Sequence, residues 1–317
     1  MRAAVVDRYG PPEIVRITDV PHPQPKRGTV LVRVTAAGVN SGDARIRGGR
    51  FPAGFGVLAR LGIGLRGPRR RVPGVTLAGT VEALGEGVTE FAVGDRVAGY
   101  TGMRMGAHAE FAVAPVASLA RIPDGVSDTD AAAIAFGGAT AQWFLRDRAK
   151  VRSGETVLVV GATGAVGSVA VQLAARAGAE VTAVCSARNA DLARRLGAAH
   201  HVDYAITPVT SIRERFDVVI DTTGTVDRAA GLRLLGPGGR LALVAASLGD
   251  MMRARGPVLV GTSPERADDM ATLLGLVADG SLDPLTTVVG GLEALPEAHR
   301  LIDGGHKVGA LVIEPNS

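Results

Sequence analysis

The sequence predicts an α/β protein that combines an all-β domain with a doubly wound parallel sheet. Its 317 residues suggest about two domains. Up to about residue 123, short apolar runs are separated by glycines and prolines at close intervals, as in a small sandwich or barrel. After that point, apolar runs alternate with segments of helical spacing, which is the pattern of a parallel sheet covered by helices.

The expected domain boundaries follow this change of pattern. Residues 1–123 form the all-β domain, and residues 124–281 form the parallel-sheet domain. Residues 282–317 revert to strand, helix (292–302) and strand (310–313), so we expect them to return to the first domain. The strands expected in the first domain lie at 29–34, 73–84, 94–99 and 109–113.

The parallel-sheet domain opens with the Ala-rich residues 127–147, which fit one or two helices. A continuous apolar run at 155–160 has the composition of a strand that is buried on both faces. A helix at 165–177 follows, and Gly197 ends a later one. The remaining expected elements are strands at 179–185, 201–203, 216–221, 240–245 and 257–261 and a helix at 189–196.

Composition limits the classes of function. With 46% hydrophobic and 21% charged residues, the chain can bury a core and is not disordered. Its net charge of +4, with both signs interspersed, suits an anionic ligand and is weak evidence for nucleic acid. The single cysteine, Cys185, excludes an intramolecular disulfide framework and a cysteine-rich zinc site. The apolar run at the start is too short for a signal peptide, and no stretch approaches about 18 apolar residues, so we expect a cytoplasmic protein without a membrane span.

A glycine-rich loop at 161–167 separates the apolar strand from the next helix. A diphosphate needs backbone N–H donors at a helix N-terminus, with no Cβ in the way. The loop departs from the G-x-G-x-x-G fingerprint only at the first glycine, and its place between a strand and a helix makes the match specific. An ordinary strand-to-helix turn is the alternative. The residues predicted to bind a dinucleotide here are Ala162, Thr163, Gly164, Ala165, Val166 and Gly167.

The end of the second strand indicates which dinucleotide binds. An NAD site usually places Asp or Glu there to bond the ribose 2′-OH, whereas Glu180 begins this strand and therefore lies at its wrong end. Ser186 follows the strand with a hydroxyl that can donate, and the Arg188 guanidinium can bind two phosphate oxygens. Tyr204, after the next strand, offers a phenolic donor. These residues favour NADPH over NADH.

The sequence resembles the medium-chain dehydrogenase/reductase superfamily over essentially its whole length, specifically the zinc-free, quinone oxidoreductase-like branch. The resemblance implies a GroES-like substrate domain, a Rossmann domain, a cleft between them, and a homodimer that is typically paired through the coenzyme domains. The segments that carry it are 37–43, 73–85, 91–99, 161–167 and 196–204.

The resemblance also implies further cofactor contacts. Thr140 resembles the family threonine beside the nicotinamide. Other residues fall at strand ends where relatives contact the ribose and nicotinamide: Thr222, Thr223, Gly224, Val244, Ala245 and Ala246.

Two departures from the family pattern bear on the chemistry. Relatives with catalytic zinc have Cys where residues 40–43 stand, and the four-cysteine structural zinc lobe is missing too, so a zinc-alcohol mechanism is not expected. Many relatives carry Gly-Lys before the last strand. Here Ala310 follows Gly309, and Lys307 is out of register, so no role is carried over from that lysine.

Hydride transfer from NADPH to a quinone, or to the β-carbon of an enone, fits without a metal, because the developing oxyanion spreads over a conjugated system. Asn40 and Asp43 are the candidate catalytic groups. In the alternative interpretation, Asn40 bonds its own backbone in a turn and Asp43 caps the following segment. This turn lacks the tyrosine that some enoyl reductases of the superfamily use as an acid, which disfavours a dedicated fatty-acyl reductase. The histidines 108, 200, 201 and 306 show no nucleophile or metal pattern and are expected to be structural.

Two further segments leave alternatives open. Residues 51–63 are apolar and too short to span a bilayer; they either cover the cleft and contact an apolar substrate, or pack as an additional helix. The basic run of Arg66, Arg69, Arg70 and Arg71 is either a solvated loop or a site for an acidic carrier or nucleic acid.

Three functions fit these observations. The first is an NADPH-dependent quinone or enone reductase acting on a small apolar substrate. The second is a specialised biosynthetic reductase that acts on an activated alkene. The third is an NADPH-binding regulator or nucleic-acid-binding protein with little turnover, suggested by the arginine run and the few catalytic groups; nucleic acid is not the expected partner.

Overall fold

The computed structural model describes residues 1–51 and 53–317. Pro52, part of the apolar segment 51–63, is outside the described residues. The strands are β1 (Arg2–Val5), β2 (Arg16–Asp19), β3 (Thr29–Val39), β4 (Thr76–Leu84), β5 (Arg96–Tyr100), β6 (Phe111–Pro115), β7 (Leu119–Arg121), β8 (Thr156–Val160), β9 (Glu180–Cys185), β10 (His200–Asp203), β11 (Phe216–Asp221), β12 (Leu235–Leu243), β13 (Val258–Leu259), β14 (Thr286–Gly290) and β15 (Ala310–Ile313). The helices are α1 (Ser41–Gly48), α2 (Gly56–Ile63), α3 (Asp128–Gln142), α4 (Ala165–Arg176), α5 (Ala190–Arg195), α6 (Arg228–Arg233), α7 (Leu248–Met252), α8 (Ala267–Ala278) and α9 (Leu295–Asp303), and a π-helical segment, Trp143–Ala149, continues α3.

The chain divides into two compact units. Among the described residues, the first unit comprises 1–51, 55–136 and 265–317, and the second comprises 53–54 and 137–264. The units therefore divide within α3 and just before α8. The functional boundaries after residues 123 and 281 stay predictions.

The first unit is built on a seven-stranded sheet in the order β14-β15-β3-β4-β5-β7, with β6 also paired to β3. The pairs are antiparallel apart from β14 and β15, which run parallel. β15 joins β3 with Leu311 opposite Val39, so the end of the chain is a strand of this sheet. Its core includes Val30, Val32 and Leu77, all fully buried, because alternate β-branched and leucine side chains face one side of the pleat.

Two helices of the first unit correct the expectation that residues 1–123 contain only strands. α1 follows β3 directly, because Asn40 and Asp43 cap its first turn with their side chains. α2 lies in the apolar segment and buries none of its residues. The alternation of apolar and polar residues typical of strands does not reveal either helix. α1 depends on a local cap, and no residue of α2 is fully buried.

The second unit contains a six-stranded parallel sheet in the order β10-β9-β8-β11-β12-β13. Numbered within the unit, that order is 3-2-1-4-5-6, the Rossmann order, and it confirms the predicted doubly wound sheet. The strand order reverses between β8 and β11, whose buried Leu158 and Val219 pair side by side. Ligands of such sheets bind beyond the carboxyl ends of the strands at this reversal.

Among the described residues, no helix is long and apolar enough to cross a membrane.

Candidate cofactor and active site

The loop after β8 has the close packing of a dinucleotide-binding turn. Gly161 adopts a φ of +79°, which favours glycine. A Cβ at Gly167 would lie 2.0 Å from the carbonyl oxygen of Gly161, so α4 can approach β8 this closely only with glycine at 167. At Gly164, the nearest protein atom to an added Cβ would be 3.5 Å away, an ordinary van der Waals contact, so no protein atom excludes a side chain at the start of α4.

The first turn of α4 offers backbone donors. Within residues 1–51 and 53–317, the N–H groups of Ala165, Val166 and Gly167 donate no hydrogen bond. Such a row of N–H groups at a helix start is a site for a phosphate. Ala162 is fully buried, and its N–H donates to the carbonyl of Val184 at 3.1 Å. The left-handed turn thus falls on Gly161, so the alanine at the first fingerprint position meets no strain.

The segment after β9 lies against this loop. The Asn189 side chain donates from Nδ2 to the Thr163 hydroxyl at 3.1 Å. Ser186 precedes the short 3-10 turn that contains the exposed Arg188. Asn189 was not predicted as a site residue, because its contact with Thr163 depends on how the two loops meet.

The segment after β10 belongs to the same edge of the sheet. Asp203 pairs in register with Cys185, so Tyr204, which is 44% exposed, directly follows the strand position beside the end of β9. Asp203 is an acid next to the proposed 2′-phosphate residues, and it was not among the predicted site residues. Its Oδ1 accepts the N–H of Ala205 at 3.0 Å, which engages part of that carboxylate locally. Glu180 lies at the opposite end of β9, beside His200.

A buried carboxylate organises the loop after β11. Asp221 is 1% exposed, and its oxygens accept the Thr223 hydroxyl at 2.6 Å and the N–H groups of Thr223, Gly224 and Val226 at 2.9, 3.2 and 3.0 Å. The Thr222 hydroxyl donates to the carbonyl of Val160 at 2.8 Å. Asp221 was not among the predicted site residues, although an acid at the end of a buried strand is a signal, because a buried carboxylate needs several hydrogen-bond donors.

Two more predicted segments meet these loops. The N–H of Val244 donates to the Asp221 carbonyl at 3.0 Å, and a Cβ at Gly224 would lie 3.3 Å from the Cβ of Ala245, next to Ala246. A Cβ at Gly137, one turn before the buried Thr140, would lie 2.1 Å from the carbonyl oxygen of Ala165. The loops after β8, β11 and β12 and the end of α3 thus converge within the second unit.

Asn40 and Asp43 lie in the first unit and form a reciprocal cap. Asn40 Oδ1 accepts the N–H groups of Gly42 and Asp43 at 2.8 and 3.2 Å, and Asp43 Oδ2 accepts the N–H of Asn40 at 3.0 Å. The structure therefore contains the turn and capping contacts of the alternative interpretation. Each side chain still has one buried atom that makes no hydrogen bond of normal geometry among the described residues, Nδ2 of Asn40 and Oδ1 of Asp43, although the N–H of Gly74 acts on the Asp43 carboxyl.

The environment of Asp43 favours its protonated form. Burial raises the pKa of the carboxyl, opposed by the nearby His108 and by the N–H groups of Asn40 and Gly74. His108 is fully buried, and its Nε2 lies 3.0 Å from the carbonyl oxygen of Gly38, while Nδ1 has no partner in the described part of the chain. His108 is therefore held in place by the β3 backbone beside a protonatable acid.

Two buried basic side chains, Arg47 of α1 and His299 of α9, lie where these helices meet. Arg47, 2% exposed, donates to the Gly10 carbonyl at 2.7 Å and to Asp303 at 2.6 Å. His299 on α9 is fully buried, and burial lowers its pKa to about 3, so its ring stays neutral at neutral pH. Lys307 donates to the carbonyl of Gly309 at 2.6 Å, so it fastens the turn before β15.

The described residues contain no group of three or more His, Cys, Asp or Glu side chains arranged to hold a metal ion. Cys185 is buried at the end of β9, and burial raises the pKa of its thiol to about 11, which disfavours the thiolate that a metal needs.

Two family descriptions match the chain. "Alcohol dehydrogenase GroES-like domain" matches residues 26–124, and "Zinc-binding dehydrogenase" matches residues 165–276. The first covers most strands of the sheet in the first unit, and the second covers most of the parallel sheet.

Known proteins agree with these matches. The quinone oxidoreductase of Lama guanicoe is 34% identical over 253 residues, which is 77% of this chain and 72% of the relative. The structure of the Coxiella burnetii quinone oxidoreductase superposes with a TM-score of 0.88 at 27% identity and 99% coverage of both chains. Mycobacterial Rv1454c, solved in complex with NADPH, gives a TM-score of 0.81 at 29% identity, covering 99% of this chain and all of that one.

Other relatives are much longer than their match to this chain. The match spans 8–10% of polyketide synthases such as erythronolide synthase EryA2, and 57% of a Pseudomonas aeruginosa quinone oxidoreductase. The fold, the two family matches and the Lama guanicoe relative agree: the chain belongs to the quinone oxidoreductase-like branch of the medium-chain dehydrogenase/reductase superfamily.

Proposed function

We propose that this protein is an NADPH-dependent reductase that transfers a hydride to a quinone or an α,β-unsaturated carbonyl compound without catalytic zinc. The observation that carries the proposal is the loop at 161–167, in a chain of the quinone oxidoreductase-like branch. Its open N–H groups and the space beside Gly164 fit a diphosphate. A Cβ at Gly164 would occupy that space.

NADPH, when bound, supplies the hydride. The N–H groups of residues 165–167 would hold its diphosphate, and Ser186, Arg188 and Tyr204 its 2′-phosphate. The solved complex of mycobacterial Rv1454c with NADPH supports this choice of cofactor. The remaining predicted contacts, to the ribose and nicotinamide, come from Thr140, Thr222, Thr223, Gly224, Val244, Ala245 and Ala246.

The preference for NADPH over NADH rests on the groups at the end of β9. Arg188 offers a guanidinium there, and no carboxylate ends that strand. The neighbouring strand β10 ends with an acid, Asp203, and the N–H of Ala205 already donates a hydrogen bond to one of its carboxylate oxygens. A bidentate arginine contact outweighs a carboxylate that is partly engaged elsewhere.

Asn40 and Asp43 are the proposed catalytic groups. The unpartnered Nδ2 of Asn40 is a hydrogen-bond donor for a substrate carbonyl oxygen, and Oδ1 of Asp43 is a position where a proton can be held. A conjugated acceptor needs only such donors, because its negative charge is delocalised. The reciprocal cap fixes both side chains, so they would act from a rigid turn.

Zinc independence rests on the donor set. Residues 40–43 are Asn-Ser-Gly-Asp, where zinc-using relatives carry Cys, and the only cysteine of the chain is the buried Cys185. The match to the family description "Zinc-binding dehydrogenase" gives the fold of the second unit and supplies no cysteine ligand. A homodimer in the cytoplasm, acting on a small apolar substrate, completes the proposal.

The second candidate is a biosynthetic reductase that acts on an activated alkene. The match to erythronolide synthase EryA2, 35% identical over 308 residues and 92% of this chain, favours it. It shares the cofactor site and the hydride step with the first candidate and differs in the acceptor.

The experiment is an acceptor screen. Purified protein is mixed with NADPH and, separately, a naphthoquinone, a cyclic enone and an enoyl thioester, with and without a chelator, and loss of reduced nicotinamide is followed. Chelator-insensitive turnover of the quinone or the enone supports the proposal, and turnover of the thioester alone supports the second candidate. Micromolar binding of NADPH without turnover of any acceptor contradicts both and favours a regulatory protein.

A further inference from the structure

The segment around α2 presents apolar side chains and arginines together at the surface. Four aliphatic side chains are exposed: Val57 (74%), Leu58 (58%), Leu61 (54%) and Leu65 (64%). Leu61 lies about one turn after Val57 and Leu58 in α2, so these three side chains are neighbours on the helix surface, and exposed apolar patches often mark a binding surface. Four exposed arginines flank these side chains, and the eight residues together are called the arginine–leucine surface: Val57, Leu58, Leu61, Leu65, Arg60, Arg66, Arg69 and Arg70.

The charge of this region is of one sign. Residues 44–81 contain eight arginines and neither aspartate nor glutamate. Arg71 is partnered by Asp7 at 2.5 Å. Arg66 and Arg70 have no carboxylate partner within the described ranges of the chain, so their charge is available to an external anion.

The surface is fastened to the first unit rather than loosely attached. The Tyr9 hydroxyl donates to the carbonyl of Gly64 at 2.5 Å, and Arg60 lies over the Tyr9 ring at 5.3 Å. A Cβ at Gly67 would lie 2.3 Å from the carbonyl oxygen of Asp7, so the chain there runs against the backbone beyond β1. These contacts hold the segment, although no residue of α2 is fully buried and only Ala59 and Ile63 are partly buried. The packing therefore does not support the interpretation of this segment as an additional packed helix. Its aliphatic side chains are exposed to solvent and would be stabilised by an apolar environment.

We propose that the arginine–leucine surface binds the surface of an anionic phospholipid bilayer. Leu58 and Leu61 would enter the boundary between headgroups and acyl chains, and Arg66 and Arg70 would contact lipid phosphates. Aliphatic side chains flanked by basic ones, on a helix that lies in the interface, are the pattern of peripheral membrane attachment. Each arginine near an anionic surface strengthens such binding about fivefold.

A bilayer fits this surface better than an acidic protein does. α2 has eight residues and is therefore about 12 Å long. A stable protein interface needs about 800 Å² on each side, with matched shapes. A bilayer needs no complementary groove, because lipids rearrange around each side chain.

The test is flotation of the full-length protein with vesicles of phosphatidylcholine alone or of phosphatidylcholine mixed with phosphatidylglycerol. We expect binding to the mixed vesicles that weakens as salt is raised, because salt screens exposed charges. Arg66→Gln with Arg70→Gln should weaken binding about 25-fold. Leu58→Asp with Leu61→Asp should reduce it to background, and thermal unfolding should be unchanged because both leucines are more than half exposed.

The control variants make the same changes of charge at exposed positions outside the arginine–leucine surface. Arg27→Gln with Arg213→Gln replaces two exposed arginines, and Val93→Asp with Leu301→Asp replaces two exposed apolar residues. Both controls should bind vesicles as the parent protein does. Equal binding to phosphatidylcholine, an equal loss in the controls, or no binding to the mixed vesicles would overturn the proposal. The last result together with capture by a purified acidic acyl-carrier domain would assign the surface to a protein partner. The test needs no turnover, so failure of the proposed reaction leaves it intact.

Discussion

Asn189 donates a hydrogen bond of 3.1 Å from its Nδ2 to the hydroxyl of Thr163, and this bond joins the turn after β9 to the loop after β8. The bond therefore links the segment proposed to hold the cofactor diphosphate to the segment proposed to hold its 2′-phosphate. Their bond would fix the spacing of the two phosphate-binding segments before the cofactor arrives.

The first prediction tests this connection. Asn189→Ala and Thr163→Val should each weaken NADPH binding about fivefold, because one neutral hydrogen bond contributes about 1 kcal/mol. The double variant should lose no more than either single one, since both remove the same bond. Fluorescence titration with NADPH measures the effect, and strictly additive losses would contradict the coupling.

The second prediction separates folding from cofactor binding within one loop. Gly164→Ala should keep the thermal unfolding temperature and lose NADPH affinity, because a Cβ there meets no protein atom closer than 3.5 Å. Gly167→Ala should destabilise the fold by roughly 1–3 kcal/mol, because its Cβ would lie 2.0 Å from a carbonyl oxygen. Gly275→Ala, on α8 with nothing within 4 Å, is the control that should change neither property. A Gly164→Ala protein that binds NADPH normally would speak against the diphosphate site.

The third prediction concerns the 2′-phosphate. Arg188→Ala should weaken NADPH binding about 10- to 150-fold, since a hydrogen bond to a charged group contributes roughly 1.5–3 kcal/mol, and should spare NADH. Arg195→Ala, an exposed arginine at the end of α5, serves as the matched control. Calorimetric titration with both cofactors measures the two losses, and an equal loss for NADH would refute the assignment.

The fourth prediction follows from the raised pKa of Asp43. A folded chain that holds this proton more tightly than the unfolded chain is stabilised most below the ordinary pKa of 3.8, and loses that stabilisation as pH rises through the folded pKa. Asn at 43 cannot ionise. The parent protein should therefore lose stability relative to Asp43→Asn as pH increases, measured by urea unfolding across a pH series.

Asp7 provides the control of opposite sign for that series. Hydrogen bonds from Arg16 and Arg71 lower the pKa of Asp7. Relative to Asp7→Asn, the parent should therefore gain stability as pH rises through the range where this carboxyl ionises. A parallel trend in the two series would mean that burial does not govern Asp43.

The fifth prediction concerns the carboxylate beneath the cofactor loops. Asp221→Asn should destabilise the fold by about 2–4 kcal/mol. The substitution turns one carboxylate oxygen into an amide NH₂, which cannot accept a hydrogen bond from the backbone N–H that now donates to that oxygen. Asp124→Asn, at an exposed position, should be close to neutral. Chemical unfolding of both variants gives the comparison, and an Asp221→Asn protein as stable as the control would show that the loop does not depend on the charge.

The parallel sheet could be predicted closely from the sequence. β8, α4 and β11 lie within one residue of their predicted positions, because continuous apolar runs and the glycine loop mark their limits. β12 begins five residues earlier than expected, since the glycines and proline at 236–239 gave no strand signal. The helix expected at 292–302 divides into a 3-10 turn and α9.

The helices of the first unit and the contacts of the site were harder to predict from the sequence. The cap of α1 was foreseen only as an alternative role for Asn40 and Asp43, because the same residue types serve turns, caps and catalysis. The contact between Asn189 and Thr163 spans 26 residues, and the four bonds to Asp221 form only when the loop folds back on it. Such contacts depend on tertiary placement, which periodicity does not report.

The proposed reaction is measured by the rate of NADPH oxidation with a naphthoquinone or a cyclic enone, compared with that of NADH at equal concentration and with the chelator present. We expect saturable oxidation, with kcat/KM for NADPH at least about tenfold above that for NADH, as one charge-assisted contact requires. Tight NADPH binding without oxidation of either acceptor, or a preference for NADH, would contradict the proposal.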